Sequence, residues 1–450
     1  MSSSPASLRA TLDDSPMRRF QWAAVAVCVL LNMLDGFDVL VMAFTGKSVS
    51  TEFGLNGAQL GLLLSAGLVG MALGALFLAP FADRIGRRPM ILTCLAVASA
   101  GMLLSAASQS STQLGLLRVL TGIGIGGILA SSNVVAAEYA SKRWRGLAVS
   151  LNSTGYALGA TLGGLLAVVL ISEFGWRSVF LFGGVATAVS IPLVMLTLPE
   201  SLDFLLTRRP ARALGKVNAL ARRLGQPELT ELPQPAATGG VGSGFKRLLE
   251  PGMRRTTLLM WGAFFLVMAG FYFVTSWTPT LLVQAGMSAT QGLTGGTLLN
   301  LGGIFGATLL GALAARWTLR AVLTTYLVAT AVMLAVFIAA SSSLTVAFAL
   351  GFLVGLFVNG CVAGLYALTP AIYGPDVRTT GVGTAIGIGR IGAILSPTAA
   401  GALLDAGWTP QNLYLAVGVV FVATAVLLLF LRPASSGARE AAPAVVANPS

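Results

Sequence analysis

The chain has 450 residues, of which 55% are hydrophobic and only 10% are charged, and its mean hydropathy is +0.83. A soluble domain carries about 25% charged residues, so this composition excludes a soluble protein and indicates a polytopic membrane protein. The net charge of +12 would suggest nucleic-acid binding in a soluble chain, but an excess of Lys and Arg on one side of a bilayer explains it better here. The three cysteines have no metal-ligand spacing and the chain has no histidine, so no metal site and no disulfide framework are predicted.

Twelve apolar segments are each long enough to cross a bilayer, which takes about 20 mostly apolar residues. Half of them precede, and half follow, the one long polar stretch of the chain. The triplet at 74–76, Gly-Ala-Leu, recurs at 311–313 near the end of the eighth segment, which suggests two related bundles. The predicted segments are 22–45, 58–81, 89–107, 113–138, 146–171, 176–198, 256–283, 290–315, 319–340, 344–373, 381–404 and 412–431.

This arrangement predicts an all-α membrane protein made of two six-helix bundles. The bundles span 22–198 and 256–431, with a polar linker at 199–255 between them. Short polar tails at 1–21 and 432–450 flank the bundles.

The basic residues indicate how the helices are oriented. Of the 28 Lys and Arg residues, all except Lys47, Arg118, Arg177 and Arg390 lie in the tails, in the linker or in loops on the same side. The positive-inside rule then predicts that both termini are cytoplasmic. Within the linker, residues 210–224 are predicted to form a short basic amphipathic helix at the membrane surface.

Two aspartates stand inside the first apolar segment. Asp35 and Asp38 are three residues apart, so both lie on one helical face. An acid near the middle of a bilayer is costly and persists mostly where it faces a protein interior or a water-filled path. Because the chain contains no histidine, a proton-coupled mechanism must use carboxylates, and these two are the first candidates.

The passage at 74–88, GALFLAPFADRIGRR, connects the second segment to the third. It resembles the signature loop of the major facilitator superfamily, whose members are built from two six-helix bundles around a central site. The resemblance implies a gating role at the cytoplasmic end for Asp83, Arg84, Arg87 and Arg88. The alternative is a basic loop that only sets the topology.

Arg118 lies inside the fourth segment, where a cation is costly unless it is paired or hydrated. The run 118–127 resembles the fourth-helix motif of the superfamily, whose arginine is linked to proton coupling. The first and fourth helices are neighbours in that fold, so Asp35 or Asp38 is the expected partner. A purely structural ion pair between two helices is the alternative.

Glu138 ends the fourth segment, within reach of Arg143 or Arg145. A gating salt bridge involving Glu138 and Arg145, and ordinary capping of the helix, both remain open.

The fifth segment contains a run at 155–164 that approaches a motif of drug/proton antiporters. Ala160 stands where that motif has proline, so the kink that proline would introduce is not predicted. We favour a packing face of small residues at this position.

Arg390 is a cation in the eleventh segment with no acid nearby in the sequence. A cation without a protein partner invites an anionic substrate, and a guanidinium can hold a carboxylate through two hydrogen bonds. The flanking glycines, Gly389 and Gly392, would let a ligand approach the backbone. The alternative is structural pairing with a distant acid.

Side chains of the second bundle could complete a substrate site around Arg390. Phe273 and Trp277 share roughly one helical face and could stack on a planar ring. Asn300, Asn359 and Tyr366 could add hydrogen bonds. For each of these residues, helix packing is the alternative explanation.

Two passages point to one branch of the superfamily. Residues 35–38, Asp-Gly-Phe-Asp, and residues 380–393 resemble the first- and eleventh-helix signatures of the aromatic acid:proton symporter family. Its members import aromatic carboxylates such as hydroxybenzoates, benzoate and protocatechuate into bacteria together with protons. Ala315, at a position where the second loop pattern favours an acid, and the absence of histidine depart from the family. The resemblance implies that the functional charges are Asp35, Asp38, Asp83, Arg118, Glu138 and Arg390.

The sequence therefore predicts a proton-coupled symporter that imports an aromatic carboxylate across the bacterial inner membrane by alternating access. The implied partners are this small molecule and the lipid bilayer, without nucleic acid, and a monomer is expected. No cofactor is implied, and protons are the coupling ion. The alternatives are a proton-coupled exporter of drugs or organic anions with the same fold, and a non-transporting membrane sensor. No nucleophile–base set stands out in the sequence, so an enzyme is not predicted.

Overall fold

The computed structural model describes residues 16–210, 213–223, 228–229, 231–232, 244–339, 344–373 and 377–431. The C-terminal tail and most of the N-terminal tail lie outside this part of the chain. A few side chains within helices are also outside it, among them that of Asp83, so the gating prediction for Asp83 falls outside the described residues.

Within the described residues, twelve helices are long and apolar enough to cross a membrane, and we number them α1 to α12 in chain order. Each coincides with one of the twelve predicted segments, which confirms the all-α prediction. They are α1 Arg19–Phe53, α2 Gly57–Leu73, α3 Arg87–Ala106, α4 Ser111–Tyr139, α5 Arg145–Phe174, α6 Arg177–Thr197, α7 Arg254–Gln284, α8 Ala289–Ala314, α9 Leu319–Ala339, α10 Leu344–Ile372, α11 Arg378–Asp405 and α12 Pro410–Leu429.

The first helix is longer than its apolar stretch. It continues through Lys47 and ends only at Phe53, because the polar residues after position 45 do not break a helix. Gly54 then adopts the left-handed conformation, with φ of 62°, and its N–H bonds to the Ser50 carbonyl. Glycine takes this conformation without the steric cost that a side chain adds, so Gly54 fixes the end of α1.

The chain between α2 and α3 forms a tight corner. A π-helical turn, Gly74–Leu78, extends α2 and leads into a short helix, Ala79–Ile85. Gly86 then turns the chain into α3 with φ of 107°, and a Cβ at this position would lie 2.5 Å from the Glu200 carboxylate. A glycine is therefore required at position 86, because of its backbone conformation and because no side chain fits beside Glu200.

The two halves repeat the same helix pairing. In the first half α1 packs on α5, α2 on α4 and α3 on α6, and in the second half α7 packs on α11, α8 on α10 and α9 on α12. Glycines let the backbones approach closely. A Cβ at Gly70 of α2 would collide with the Val119 carbonyl of α4, and one at Gly302 of α8 with the Phe352 carbonyl of α10. This repeated pairing is the predicted architecture of two six-helix bundles.

Consecutive helices cross the molecule in alternate directions, so every helix has one end on each side. We call the side where α6 ends and α7 begins the linker end, because the polar linker leaves the bundle there. The opposite side, where α1 ends and α2 begins, is the far end.

The halves are in close contact near the far end. A Cβ at Gly61 of α2 would collide with the Pro397 carbonyl of α11. The Ser65 hydroxyl donates a hydrogen bond to the Ile394 carbonyl at 2.7 Å. Asp405, at the end of α11, accepts hydrogen bonds of 2.7 and 2.8 Å from the first two backbone N–H groups of α2. These contacts close the far end between the two bundles.

The halves separate toward the linker end. A Cβ at Gly383 or Gly387 of α11 would meet no described atom of a neighbouring element within 4 Å. Both positions lie nearer the linker end than the far-end contacts of α11. The space between the bundles is therefore open at the linker end in this conformation.

The linker contributes a short helix that packs on the first bundle. The helix Ala213–Arg223 lies within the segment predicted to be amphipathic, 210–224. Its apolar residues Val217, Leu220 and Ala221 are buried in a cluster with residues of the first bundle. Protein therefore covers the face that the sequence suggested for the membrane surface.

We expect the substitution Gly61→Val to prevent closure of the far end, because the added side chain would collide with the Pro397 carbonyl. Conformations open at the linker end then become rare, and a thiol introduced as Gly387→Cys should react about tenfold more slowly with a polar maleimide in detergent. About 1.4 kcal/mol of steric strain is enough for a tenfold shift. The three native cysteines are buried, so the introduced thiol dominates the labelling.

Gly311→Val is the matched control, since a Cβ at Gly311 meets no described atom of another element within 4 Å. An unchanged labelling rate in Gly61→Val would show that the far-end contact between α2 and α11 does not control the opening.

Candidate functional site

A buried ion pair joins α1 to α4. Arg118 Nη1 lies 2.7 Å from Asp38 Oδ1 and Nη2 lies 3.1 Å from Oδ2, so the guanidinium holds the carboxylate through two hydrogen bonds. Nη2 also donates to the Asp38 backbone carbonyl at 2.9 Å. Arg118 is only 1% exposed and Asp38 4% exposed. Of the two expected partners of Arg118, the structure selects Asp38.

The pocket around Arg118 is shaped to admit a guanidinium. A Cβ at Gly67 of α2 would lie 3.0 Å from Nη2, so a larger residue there would press on the arginine. The Met102 sulfur is 3.6 Å from Nη1, and the Phe180 ring centroid is 6.0 Å from Cζ. Soft and aromatic groups of this kind attract a cation without carrying charge. Helices α2, α3 and α6 thus converge on the ion pair.

Asp35, one turn before Asp38, has a different environment. It is 4% exposed, and its Oδ1 has no hydrogen-bond partner within the described residues. Its electrostatic neighbours are Arg390 and Asp38. A charged carboxylate buried without a hydrogen bond is costly, and a proton or an approaching ligand removes that cost.

A narrow cavity inside the first bundle reaches both aspartates. It is lined by Asp35 and Asp38, by mainly apolar residues of α1, α3 and α4, and by Thr121 and Thr187. The space that the centre of a water molecule can occupy is about 10 Å³. This is roughly the room needed for one water, so a single water can approach the two acids from within the bundle.

Arg390 of α11 lies between the two halves. Its electrostatic neighbours are the acid Asp35 of α1 and three tyrosines, Tyr156 of α5, Tyr272 of α7 and Tyr366 of α10. The guanidinium is close enough to Tyr272 for a side-chain hydrogen bond. Its Nη1 is nevertheless buried without a partner among the described residues. One donor of this cation is therefore left for a ligand.

Tyr366 marks the opening that leads to Arg390. It lies deep among protein atoms, yet 39% of it is exposed, so it faces an internal space rather than a packed core. Its ring makes an edge contact with Phe264 at 5.6 Å between centroids. Phe264 in turn packs against Gly389, the neighbour of Arg390. An aromatic wall therefore stands beside the cation.

The structure does not bring Phe273 and Trp277 to Arg390. Both are almost fully buried within the second bundle. The Trp277 indole donates to the Pro397 carbonyl at 3.0 Å, and the Phe273 ring packs on Tyr414 at 5.4 Å. In this conformation they hold α7 to α11 and α12, and their role in substrate binding stays a prediction.

The two predicted asparagines lie on α8 and α10. Thr297 of α8 lies against Gly164 of α5, where the two halves meet. Asn300 is one turn further along α8, so it is near the boundary between the halves. Asn359 packs against Gly303 at the contact of α10 with α8. Asn300 is thus closer to the central space than Asn359, and a contact of either with a substrate stays a prediction.

Sequence reasoning missed Tyr156, which stands in the small-residue run of α5, as a site residue. It considered Tyr272 only as part of the aromatic run 271–273 that could stack on a planar ring, and not for its hydroxyl. A tyrosine hydroxyl inside an apolar membrane helix needs a polar partner, and that signal could have identified both.

The predicted gating residues gather at the linker end of the first bundle. Arg87 Nη1 lies 3.8 Å from Glu138 Oε1, which links the start of α3 to the end of α4. Arg145 Nε donates to the Ala137 carbonyl at 3.0 Å. Arg84 lies over the Phe81 ring at 5.6 Å. The gating role of these residues stays a prediction.

Glu200, at the start of the linker, is a further member of this group that the sequence did not single out. Its Oε1 accepts hydrogen bonds from the Arg87 and Arg88 backbone N–H groups at 2.8 and 3.2 Å, and so caps α3. Its backbone carbonyl accepts from the Tyr139 hydroxyl. The Arg88 guanidinium donates to the Met195 carbonyl of α6. Glu200 therefore ties α3 and α4 to the chain that follows α6.

Comparisons with known proteins agree with this fold. The family model described as Major Facilitator Superfamily matches residues 25–319 and 290–448. The chain is 33% identical over 446 residues to a gallate transporter of Pseudomonas putida, with 98% of each chain covered. It is 31% identical over 430 residues to the 4-hydroxybenzoate transporter PcaK of Acinetobacter baylyi, covering 94% of this chain and 93% of that one.

Among solved structures, the inward-open conformation of the xylose transporter XylE from E. coli matches with a TM-score of 0.71. The sequence identity is 16%, and the match covers 93% of this chain and 98% of that one. At this identity the likeness shows the fold alone.

The described residues form twelve helices long and apolar enough to cross a membrane, and the matching family and relatives are transporters, so the protein is a membrane transport protein and not an enzyme. The chain belongs to the major facilitator superfamily and, within it, to the branch of aromatic acid transporters. The resemblance predicted from residues 74–88 and 35–38 is thereby confirmed. The protein is a multi-pass protein of the bacterial inner membrane.

We expect Asp38→Asn to lower the free energy of unfolding by about 3–5 kcal/mol, because it leaves the Arg118 guanidinium buried without its counter-charge. The double variant Asp38→Asn/Arg118→Met should recover part of this loss, since no uncompensated charge remains. Denaturant or thermal unfolding in detergent measures both.

Glu52→Gln is the matched control, because it breaks the Glu52–Arg177 ion pair, whose side chains are about 40% exposed. A surface pair of this kind contributes about 0–1 kcal/mol. An Asp38→Asn variant as stable as Glu52→Gln would contradict a structural role for the buried pair.

Proposed function

We propose that this protein is a proton-coupled symporter that imports an aromatic carboxylate across the bacterial inner membrane. One observation carries the proposal: Arg390 lies between the bundles, beside three tyrosines, with a buried Nη1 that lacks a partner among the described residues. A planar cation with a free donor suits a carboxylate, which it can bind through two hydrogen bonds.

The nature of the substrate follows from the groups around Arg390 and from the relatives. The aromatic rings of Tyr272, Tyr366 and Phe264 offer flat apolar surfaces next to the cation. The relatives in Pseudomonas putida and Acinetobacter baylyi are transporters of gallate and 4-hydroxybenzoate, which carry a carboxylate on an aromatic ring. An aromatic carboxylate fits both observations.

Asp35 is the proposed proton carrier. Asp38 has its charge balanced by Arg118, whereas Asp35 has an oxygen without a hydrogen-bond partner within the described part of the chain. When an anionic substrate binds Arg390, it takes the cation that Asp35 would otherwise share. A proton on Asp35 then removes the uncompensated negative charge, and substrate and proton favour each other's binding. Asp38 and Arg118 are proposed to support the coupling as the ion pair that holds α1, and with it Asp35, against α4.

Import is the direction that the family resemblance implies, and the predicted orientation is compatible with it. The positive-inside rule predicts that the linker end is cytoplasmic. The present conformation would then be open to the cytoplasm and closed outside, a state from which an imported substrate can leave. Import of one anion with two protons would carry one net charge inward, which the membrane potential favours by about 2.3 kcal/mol per 100 mV. The cycle needs no cofactor.

The gating residues are proposed to act at the cytoplasmic end. Arg87, Glu138 and Glu200 connect α3, α4 and the linker in the present conformation. Closure of this end requires the second bundle to approach these groups. Asp83, Arg84, Arg88 and Arg145 are proposed to take part in that contact, as the family resemblance implies.

Uptake of radiolabelled 4-hydroxybenzoate or gallate into proteoliposomes tests the proposal. We expect accumulation when the outside is acidified and its collapse with a protonophore. Arg390→Gln should raise the KM about 100-fold, since the loss of a charge-assisted pair costs roughly 3 kcal/mol, while Arg390→Lys should retain part of the affinity. Arg177→Gln, a change in a surface ion pair at the far end, is the matched control.

Substrate efflux driven by an inward proton gradient would instead identify an exporter. Tight binding of these acids without flux in either direction would identify a sensor.

We expect Asp35→Asn to separate substrate movement from proton movement. The amide is a permanent mimic of the protonated acid, so exchange of labelled for unlabelled substrate should persist within about threefold of the wild-type rate. Accumulation driven by a pH gradient should be lost, because the variant carries no titratable group at this position. Parallel measurements of counterflow and of gradient-driven uptake give both values. If Asp35→Asn accumulates substrate as the wild-type protein does, another group carries the proton.

A further inference from the structure

The polar groups that lack partners in the central space are not confined to Arg390. Among the buried atoms that have no hydrogen-bond partner within the described residues, three belong to α1 and α5 near this space: Asn32 Nδ2, Asp35 Oδ1 and Tyr156 Oη. A buried polar atom without a hydrogen-bond partner is costly, and where it faces an internal space a bound ligand can supply the partner. All three belong to the first bundle, whereas Arg390 belongs to the second.

Helix packing places these three groups together. The backbones of α1 and α5 touch where a Cβ at Gly36 would collide with the Tyr156 carbonyl. A Cβ at Gly155 would lie 3.2 Å from the Asn32 Cβ. Asn32 and Asp35 are one turn apart on α1, so all three residues lie at this one contact between α1 and α5.

This group faces the cation of the other bundle. Tyr156 is within electrostatic range of Tyr272 of α7 and Arg390 of α11 as well as of Asp35. The central space thus has a cation with a free donor on one wall. The opposite wall carries a mixed set of hydrogen-bond donors and acceptors, namely an amide N–H, a phenol and a carboxyl oxygen.

A carboxylate on an otherwise bare ring would satisfy Arg390 and leave the opposite wall without partners. A substrate that also carries a hydroxyl can donate to a carboxyl oxygen and accept from an amide or phenol. Burial of unpaired polar groups by the wrong ligand costs free energy, so such a wall discriminates against the ligand that lacks the hydroxyl.

We propose that Asn32, Asp35 and Tyr156 form a hydroxyl-recognition subsite, so that the transporter selects hydroxylated aromatic carboxylates over unsubstituted ones. The carboxylate binds the second bundle at Arg390, and the ring hydroxyl binds the first bundle at this subsite. A hydroxylated substrate therefore connects the two bundles through its two ends. This inference rests on the proposed function and specifies its substrate class.

The test compares uptake of 3- and 4-hydroxybenzoate with that of benzoate, expressed as Vmax/KM in the same proteoliposomes. The wild-type protein should prefer at least one hydroxybenzoate by about tenfold or more, the factor that one hydrogen bond provides. Tyr156→Phe should reduce this preference several-fold, measured as the ratio of Vmax/KM for hydroxybenzoate to Vmax/KM for benzoate in the same variant. We expect this change because the Tyr156 hydroxyl has no hydrogen-bond partner in the empty site, and benzoate has no hydroxyl that could bind it.

Tyr326→Phe is the matched control, since the Tyr326 hydroxyl is also buried without a partner among the described residues but lies on α9, where its ring packs on Phe357. It should leave the preference unchanged. Thermal unfolding adds a second measurement. Tyr156→Phe should keep the stability of the empty protein and lose most of the extra stabilisation that hydroxybenzoate gives over benzoate.

The outcomes separate this inference from the proposed function. Equal uptake of benzoate and both hydroxybenzoates by the wild-type protein would overturn the subsite and leave the symport proposal standing. A Tyr156→Phe variant that loses benzoate and hydroxybenzoate uptake in equal proportion would also overturn the subsite. If the wild-type protein transports none of these acids, the proposed function fails and the subsite fails with it.

Discussion

The bidentate ion pair between Asp38 and Arg118 is the interaction on which the rest of the site depends. It holds α1 against α4 in an apolar pocket closed by Gly67, Met102 and Phe180. Two charges in such a pocket are tolerated only as a pair, because either one alone would be strongly destabilising. The pair therefore fixes the rotation of α1 about its axis. That rotation directs Asp35, on the same face one turn away, toward the boundary between the bundles.

With Asp38 neutralised by Arg118, the charged groups left in the central space among the described residues are Asp35 and Arg390, one from each bundle. An anionic ligand on Arg390 and a proton on Asp35 each change this balance, and together they leave it nearly neutral. Closing the bundles removes water from the space, so a balanced set of charges closes at lower cost than an unbalanced one. In the proposed cycle this electrostatic condition links substrate to proton without a direct bond between them.

The sequence predicted the twelve helices, the two bundles and the two intramembrane arginines, because apolar length and misplaced charge are local signals. It did not decide which aspartate pairs with Arg118, since Asp35 and Asp38 share a face and the choice depends on how α1 is rotated against α4. It missed Tyr156 and Glu200, whose contacts arise from elements distant in the chain. The spacing of Phe273 and Trp277 predicted a surface for stacking on a substrate ring. In the structure, Phe273 packs against α12 and Trp277 against α11.

The contacts between the bundles explain how the protein can change conformation at low cost. At the far end they consist of glycine–carbonyl packing between α2 and α11, the hydrogen bonds of Ser65, and the bonds from the α2 N-terminus to Asp405. No bidentate pair between buried charges is described among them, and backbone N–H groups at a helix start exchange readily with water. The strong buried pair, Asp38–Arg118, lies within one bundle and can stay intact while the bundles move. The strong ion pair thus lies within one half, and the contacts between the halves are weaker polar ones. A rocking mechanism requires this arrangement.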